Sequence, residues 1–241
     1  MSNPAAARDP GVPELPPTMA ELPWEDDTPM DSPRHRQQMN LLCETLRLHF
    51  HDRPDIYIGA DMGVYYSTLQ ARTRDFRAPD FFVVLDAQPR EEERLSWVVW
   101  EEERAPSLVI ELLSESTEAE DRGRKMTIYA RAMHVREYFL YDPQDQRLEG
   151  YKLDPDTMAY RAAEPDSRGE YRSDLLDLRL VRAEGRFQGV GGTWLRWARP
   201  DGTILRTGEE TADAERQRAE TERLRADRLA AKLRAAGIEP E

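Results

Sequence analysis

The sequence has one cysteine, little lysine and no long apolar run. Cys43 stands alone in 241 residues, which excludes a disulfide framework within the chain and a zinc site built from several cysteines. No apolar run approaches the roughly 18 residues that a transmembrane helix needs, and the N-terminus has no signal-peptide pattern. We therefore expect a cytoplasmic protein with no membrane partner.

Positive charge is also scarce. The chain has 34 Lys and Arg against 47 Asp and Glu, for a formal net charge of −13. Proteins that bind nucleic acid usually show a basic patch, so tight non-specific DNA binding is not indicated. The lysines are Lys125, Lys152 and Lys232. Lysine is a compact charge whose pKa can shift, unlike arginine, so its use at position 125 in an arginine-rich chain points to a chemical role.

Two apolar runs of strand length each carry one acid. Residues 81–85 and 108–113 are rich in β-branched and aromatic residues, as buried strands are. Asp80 stands at the start of the first run, and Glu111 lies well inside the second. A buried acid is costly unless it is paired or bound to a metal. Glu111 is therefore either neutralised by an arginine, placed at a strand end that reaches solvent, or part of a site.

A helix is predicted after the second strand. Thr117 and Glu120 match a capping box at its start. Asp121, Lys125 and Tyr129 follow at i, i+4 and i+8, which places them on one helix face. Taken alone, an Asp–Lys pair at this spacing is typical of a solvated surface, where it contributes about 0.3–0.5 kcal/mol.

These residues resemble a known pattern, that of the Uma-type putative restriction endonuclease family within the PD-(D/E)XK nuclease superfamily. Each short motif is weak alone, whereas their order and spacing together are specific. The similarity extends over about residues 29–153. The stretches that carry it are residues 78–80, 106–117, 121–129 and 135–143.

The resemblance implies a role for each site residue. Asp80 and Glu111 would bind Mg²⁺ or Mn²⁺, and Lys125 would orient the attacking water or stabilise charge on the phosphate. The superfamily usually has its lysine two residues after the second acid, where this chain has Leu113. In the Uma-type variant the lysine has moved to the following helix, and Lys125 is the matching position. The implied substrate is DNA, and superfamily nucleases that cut both strands often act as dimers.

The expected fold class is α/β (α+β), with a restriction-endonuclease-like core in which helices flank a central mixed β-sheet. Residues 1–30 are expected to be a disordered acidic segment rich in Pro and Ala. Residues 31–207 would form the nuclease-like domain with a C-terminal β extension, and residues 208–241 a charged helical tail. A homo-oligomer, such as a dimer, would form through the β extension or the tail.

The tail contains a weak heptad pattern. A row of residues at seven-residue intervals forms one seam on the predicted helix, and a second row, three residues further on, forms a companion seam. The tail is therefore either a marginal coiled coil or a charged helix without a partner. The first seam comprises Ala212, Ala219, Ala226 and Leu233, and the second Glu215, Glu222, Leu229 and Ala236.

Two functions stay open at this point. The first is a Mg²⁺-dependent DNA endonuclease that uses Asp80, Glu111 and Lys125. The alternative is a nuclease-fold binding module with little or no cleavage, acting through its C-terminal helix, which the acidic composition and Leu113 favour. Other polar residues receive structural interpretations: Glu44 as a solvated side chain, the histidines as surface residues, and the arginines before Asp80 as phosphate contacts or loop residues. These are His35, His49, His51, Arg72, Arg74 and Arg77.

Overall fold

The computed structural model describes residues 16–22, 32–68 and 76–235. The helices are α1 (Pro33–His49), α2 (Val99–Glu102), α3 (Glu118–Glu120), α4 (Met126–Arg131) and α5 (Gly208–Ala235), with a 3₁₀ turn at Met19–Glu21 and a π-helical turn at Asp121–Lys125 between α3 and α4. The strands are β1 (Ile56–Gly59), β2 (Val64–Tyr65), β3 (Phe81–Leu85), β4 (Trp97–Val98), β5 (Leu108–Leu112), β6 (Glu137–Asp142), β7 (Arg147–Asp154), β8 (Ala159–Ala162), β9 (Tyr171–Ser173), β10 (Leu178–Phe187) and β11 (Val190–Ala198).

A mixed sheet of six strands forms the centre of the fold, in the order β1-β3-β5-β6-β7-β8. β5 and β6 pair in parallel, and the other neighbours pair antiparallel. The parallel pair needs a crossover, which the segment from α3 to α4 provides. The predicted central mixed sheet flanked by helices is confirmed.

Both faces of β5 are covered. Ile110 and Leu112 face a cluster that includes Leu42 and Leu46 of α1. Val109 faces the opposite cluster, together with residues of α4. Every residue of β5 is buried, so any charged group on this strand must find its partners within the protein.

Helix α1 begins where the sequence indicates. Ser32 is the N-cap, and its side chain accepts a hydrogen bond from the backbone N–H of His35 at 3.2 Å. Pro33 occupies the first helical position, where its missing N–H costs nothing. The helix ends at His49.

A second sheet forms the β extension, in the order β11-β10-β9. Leu195 and Trp197 of β11 belong to the same apolar cluster as the inner face of α1. The side-chain amide of Gln38 in α1 continues the hydrogen bonding of β11: its nitrogen donates to the Leu195 carbonyl at 2.9 Å, and its oxygen accepts from the Leu195 N–H at 3.0 Å. Helix α1 therefore lies between the two sheets.

One local prediction is wrong in part. Thr117 is the N-cap of α3, as predicted, but its side chain makes no capping hydrogen bond. The Thr117 hydroxyl lies 3.0 Å from the Ser114 hydroxyl. The two side chains compete for hydrogen bonds with the polar groups of this turn. Strand β4 comprises only Trp97–Val98, because the chain turns into α2 at Val99.

The structure also differs from the expectation of disorder over residues 16–22. The 3₁₀ turn there packs against the body, with Leu22 buried beside Val98. The indole nitrogen of Trp100 donates to the Pro17 carbonyl at 3.0 Å. The remainder of the segment 1–30 lies outside the described residues.

The helices of the described ranges include none that is both long enough and apolar enough to cross a membrane.

Candidate active site

Glu111 is the buried centre of the candidate site. It lies on β5 with no solvent exposure. Its Oε1 accepts a hydrogen bond from the Tyr129 hydroxyl at 2.6 Å, and its Oε2 accepts from the backbone N–H of Asp80 at 3.2 Å. The Lys125 Nζ lies 3.3 Å from the same Oε2. No arginine contacts Glu111 within the described ranges, so the arginine-neutralised alternative does not hold there.

Asp80 lies at the mouth of the site, directly before β3. Its Oδ2 accepts a hydrogen bond from the backbone N–H of Leu112 at 2.6 Å and lies 3.2 Å from Nε2 of His35. About 24% of its side chain remains exposed, whereas Glu111 is fully enclosed. The two acids therefore form a pair in which Glu111 is the inner carboxylate and Asp80 the outer one.

Lys125 reaches the site from the helical side and contacts two carboxylates, those of Glu111 and Asp121. Its Nζ lies 2.7 Å from Oδ1 of Asp121, in addition to the contact with Glu111. The π-helical turn that carries both Asp121 and Lys125 widens the helix by one residue, a feature that is frequent at functional sites. The predicted face of Asp121, Lys125 and Tyr129 thus points inward, which the sequence alone left undecided.

Two opposing effects set the pKa values of the three acids at the site: burial and the charges of neighbouring groups. Burial raises the pKa of Glu111 to about 8, although the Lys125 charge acts in the opposite direction. Burial also raises the pKa of Asp121. For Asp80, burial would raise the pKa, but the hydrogen bond and charge of His35 and the charge of Lys125 together lower it below its ordinary value.

Lys125 remains protonated in this environment. Burial would lower its pKa, but the charges of Glu111, Asp121 and Asp80 outweigh burial and raise the pKa above its ordinary value. A lysine with a raised pKa is a poor general base and a good fixed positive charge.

The donor set fits a hard divalent cation held by few protein ligands. Within the described residues no cluster of three or more His, Cys, Asp or Glu side chains is arranged to hold a metal ion. Mg²⁺ needs less, because it keeps several waters and binds through one or two carboxylates. Asp80 and Glu111 would hold it, because their two carboxylates lie together at one site and supply the oxygen ligands that such a cation prefers.

His35 is the site residue that the sequence analysis missed. It was interpreted as a surface residue, but it is buried and lies beside the Asp80 carboxylate. The position of His35, three residues after the helix cap, does not predict its contact with Asp80, because the two residues are 45 positions apart in the sequence. His49 and His51 lie at the other end of α1, along a groove with Arg199 and the start of α5.

The other candidate polar residues have structural roles or lie outside the described ranges. Glu44 accepts a hydrogen bond from the Gly208 N–H at 2.8 Å, so it supports α5 instead of the site. Arg77 donates to the Phe76 carbonyl at 2.7 Å. Arg72 and Arg74 fall outside the described residues, so their predicted phosphate contacts stay a prediction.

Comparison with known proteins assigns the family. The family model Uma2, described as a putative restriction endonuclease, matches residues 25–182, more than half of the chain. The chain belongs to the Uma2 family. Its membership supports a nuclease-like function, and the resemblance stated from the sequence is confirmed.

Two relatives of this Uma2 chain illustrate how far the likeness extends. The uncharacterized protein slr1290 of Synechocystis sp. is 31% identical over 101 residues, which cover 41% of this chain and 50% of that protein. The chain thus spans about half the length of the curated relative it matches. A crystal structure of a putative nuclease belonging to DUF820 from Anabaena variabilis is 17% identical, with a TM-score of 0.43, over 58% of this chain and 72% of that one.

Proposed function

We propose that this Uma2 protein is an endonuclease that hydrolyses DNA phosphodiester bonds with the help of Mg²⁺ or Mn²⁺. The observation that carries the proposal is the pairing of a buried Glu111 with a partly exposed Asp80, beside an inward-facing Lys125. The family membership supports a nuclease-like function in general. The identity of the metal, DNA as the substrate and the role of each residue are what we propose.

Each side chain has one task in this proposal. Asp80 and Glu111 hold the cation, which when bound polarises the phosphoryl oxygen and lowers the pKa of a coordinated water. The protonated Lys125 donates a hydrogen bond to a phosphate oxygen and so stabilises the negative charge that develops there. Tyr129 and His35 fix the orientation of the two carboxylates through the contacts at 2.6 and 3.2 Å.

The direct test is cleavage of supercoiled and linear duplex DNA with Mg²⁺, Mn²⁺ or a chelator. We expect cleavage by the wild type to need the metal and to be lost in Asp80→Asn, Glu111→Gln and Lys125→Met. Lys152→Met is the matched control, because Lys152 pairs with Asp174 on an exposed part of β7. Metal-independent cleavage, or cleavage that persists in Asp80→Asn, would refute the assignment.

The net charge of −13 favours one second candidate, a nuclease-fold binding module without significant cleavage. The two proposals differ in the result for Glu111→Gln. A binding module would keep its affinity for DNA or protein in this variant and would release no nucleotide product in either form.

A further inference from the structure

Helix α5 has 28 residues, none of them buried, and at about 1.5 Å per residue it extends over about 42 Å. Within the described part of the chain, its polar contacts with the body are confined to its first turn, where Arg196 contacts Glu210 at 2.7 Å and the Gly208 N–H donates to Glu44. Among the described residues after Thr211, every hydrogen bond and ion pair that α5 makes stays within the helix.

The seam recognised first in the sequence cannot pair α5 with a copy of itself. That seam is the row formed by Ala212, Ala219, Ala226 and Leu233. The positions that flank this row and its companion row are almost all basic. A second copy of the helix would therefore bring like charges together, whether the two helices ran parallel or antiparallel. These flanking residues are Arg216 and Arg223 on one side and Arg218, Arg225 and Lys232 on the other.

A second seam on the same helix has complementary flanks. Its core comprises Ala214, Gln217, Thr221, Leu224, Arg228, Ala231 and Ala235, which alternate in steps of three and four residues. Leu224 lies at its centre with 46% of its surface exposed. The flank on one side is acidic except for Arg234 at its end, and the flank on the other side is wholly basic. The acidic flank is Asp213, Glu220 and Asp227, and the basic flank is Arg218, Arg225 and Lys232.

These flanks select one direction of pairing. In a parallel pair, each residue of the acidic flank on one copy lies beside a residue of the basic flank on the other copy, whose sequence number is five higher. Asp213 then meets Arg218, Glu220 meets Arg225, and Asp227 meets Lys232, and the two-fold symmetry repeats each ion pair. An antiparallel pair would instead set Glu220 against Asp227 and the wholly basic flank against itself.

We propose that α5 pairs in parallel with α5 of a second copy of this chain through the Leu224 seam. Gln217, Thr221 and Arg228 make the core polar, which fixes the register at a cost in stability. The seam covers about three heptads, near the lower limit for a coiled coil. The dimer is therefore of modest affinity, depends on protein concentration and weakens as salt screens the flanking charges.

A pair of leucine variants of the full chain tests the seam. Leu224 lies at its centre, whereas Leu229, with 59% of its surface exposed, lies outside it. In sedimentation equilibrium over a wide range of concentration, we expect the wild type and Leu229→Glu to reach the mass of two chains and Leu224→Glu to remain at the mass of one. A monomeric wild type at the highest concentration would overturn the proposal, as would equal loss of dimer in both variants.

A pair of cysteine variants tests the direction. Ala231→Cys places a thiol in the seam, and Ala226→Cys places one on the outer face as a matched control. The natural Cys43 is buried and does not compete. In a parallel pair, mild oxidation should link Ala231→Cys chains and leave Ala226→Cys chains unlinked. Linkage at position 226 would assign the first seam instead, and a dimer without linkage at position 231 would exclude the parallel arrangement.

Discussion

At the scale of single residues, the candidate site depends on one carboxylate that water does not reach. Glu111 has a hydroxyl, a backbone N–H and one ammonium group as partners, and its pKa is still raised to about 8 because burial outweighs them. Under the proposed function, a cation that binds beside Glu111 would displace its proton, so metal binding would be coupled to proton loss from Glu111.

The affinity for Mg²⁺ should accordingly increase as pH rises toward about 8, the pKa of Glu111. Calorimetric titration of the wild type at several pH values measures this, and Glu111→Gln should lose both the binding and its pH dependence. Glu137→Gln is the matched control, because Glu137 is also a buried glutamate with a raised pKa but accepts hydrogen bonds from the Ser173 hydroxyl and the Asp174 N–H. Binding that is independent of pH would contradict the assignment of Glu111.

The same pKa predicts how pH affects the stability of the metal-free protein. The pKa of Glu111 is higher in the folded state than its ordinary value of 4.5, so the folded state binds the proton more tightly than the unfolded chain does. This contribution is fully present below about pH 4.5 and is lost as pH rises through about 8. We expect the free energy of unfolding of the wild type to fall as pH rises towards about 8, and that of Glu111→Gln to lack this fall. Denaturant unfolding at several pH values measures both.

His35 should act on the metal through Asp80. Its Nε2 lies 3.2 Å from Oδ2 of Asp80, so His35→Ala removes one of the contacts that orient the outer carboxylate and leaves the hydrogen bond from the Leu112 N–H. Losses of partners of this kind typically reduce metal affinity about 10–100-fold. Calorimetry should show a weaker site in His35→Ala and an unchanged one in His49→Ala, whose histidine lines the groove beside α5. Complete loss of binding would instead make His35 itself a ligand.

At the scale of elements, the π-helical turn is held in place by an arginine that faces away from the site. Arg122 donates two hydrogen bonds to Glu149 of β7, at 2.8 and 2.7 Å, and one to Glu118 at 2.8 Å. This bidentate contact fixes the turn against the sheet and so sets where Lys125 points. A one-residue widening without such an anchor would leave the lysine free to move.

The Glu149 carboxylate should stabilise the fold in a pH-dependent way. Its hydrogen bond from Arg122 lowers its pKa to about 2 from the ordinary value of 4.5, despite burial. The stabilisation is complete above about pH 4.5 and is lost as pH falls toward about 2. Because about a quarter of the side chain is exposed, we expect Glu149→Gln to cost about 1–2 kcal/mol at neutral pH and little near pH 2. Urea unfolding measures this, and Glu164→Gln, at an exposed position, should cost almost nothing at either pH.

At the scale of the whole molecule, α1 connects the parts. Its start brings His35 to the site, its inner face packs on the central sheet, and Gln38 bonds to the edge of the β extension. If α5 pairs in parallel, two such bodies lie at the same end of the paired helices. Two sites on one side of a dimer would suit an enzyme that cuts both strands of a duplex.

Removing the Gln38 amide should loosen the β extension from the core. Gln38→Ala would leave the buried N–H and carbonyl of Leu195 without partners, at about 1–3 kcal/mol for each unsatisfied group. Denaturant unfolding should show this loss, while Gln37→Ala, one position away and only half-buried, should stay within about 0.5 kcal/mol of the wild type. Equal effects of the two substitutions would show that the amide does not join the sheet to α1.

Local signals in the sequence predicted the elements well. The apolar runs of β3 and β5 and the spacing of Asp121, Lys125 and Tyr129 depend on residues close together in the chain. The capping box at Thr117 was only partly right, because nearby hydroxyls competed for the same backbone groups. Short-range patterns therefore succeed where one hydrogen-bonding solution dominates and fail where several are available.

The sequence by itself pointed to Glu111, as an acid inside an apolar run, and to Lys125, as one of few lysines, while the resemblance to the Uma-type family added Asp80 and the role of each residue. Only the tertiary structure decided that Lys125 points inward, that Asp80 is the outer and Glu111 the inner carboxylate, and that His35 belongs to the site. These facts depend on contacts between residues tens of positions apart. Such contacts arise when α1, β3, β5 and the π-helical turn pack together, and no local pattern encodes that packing.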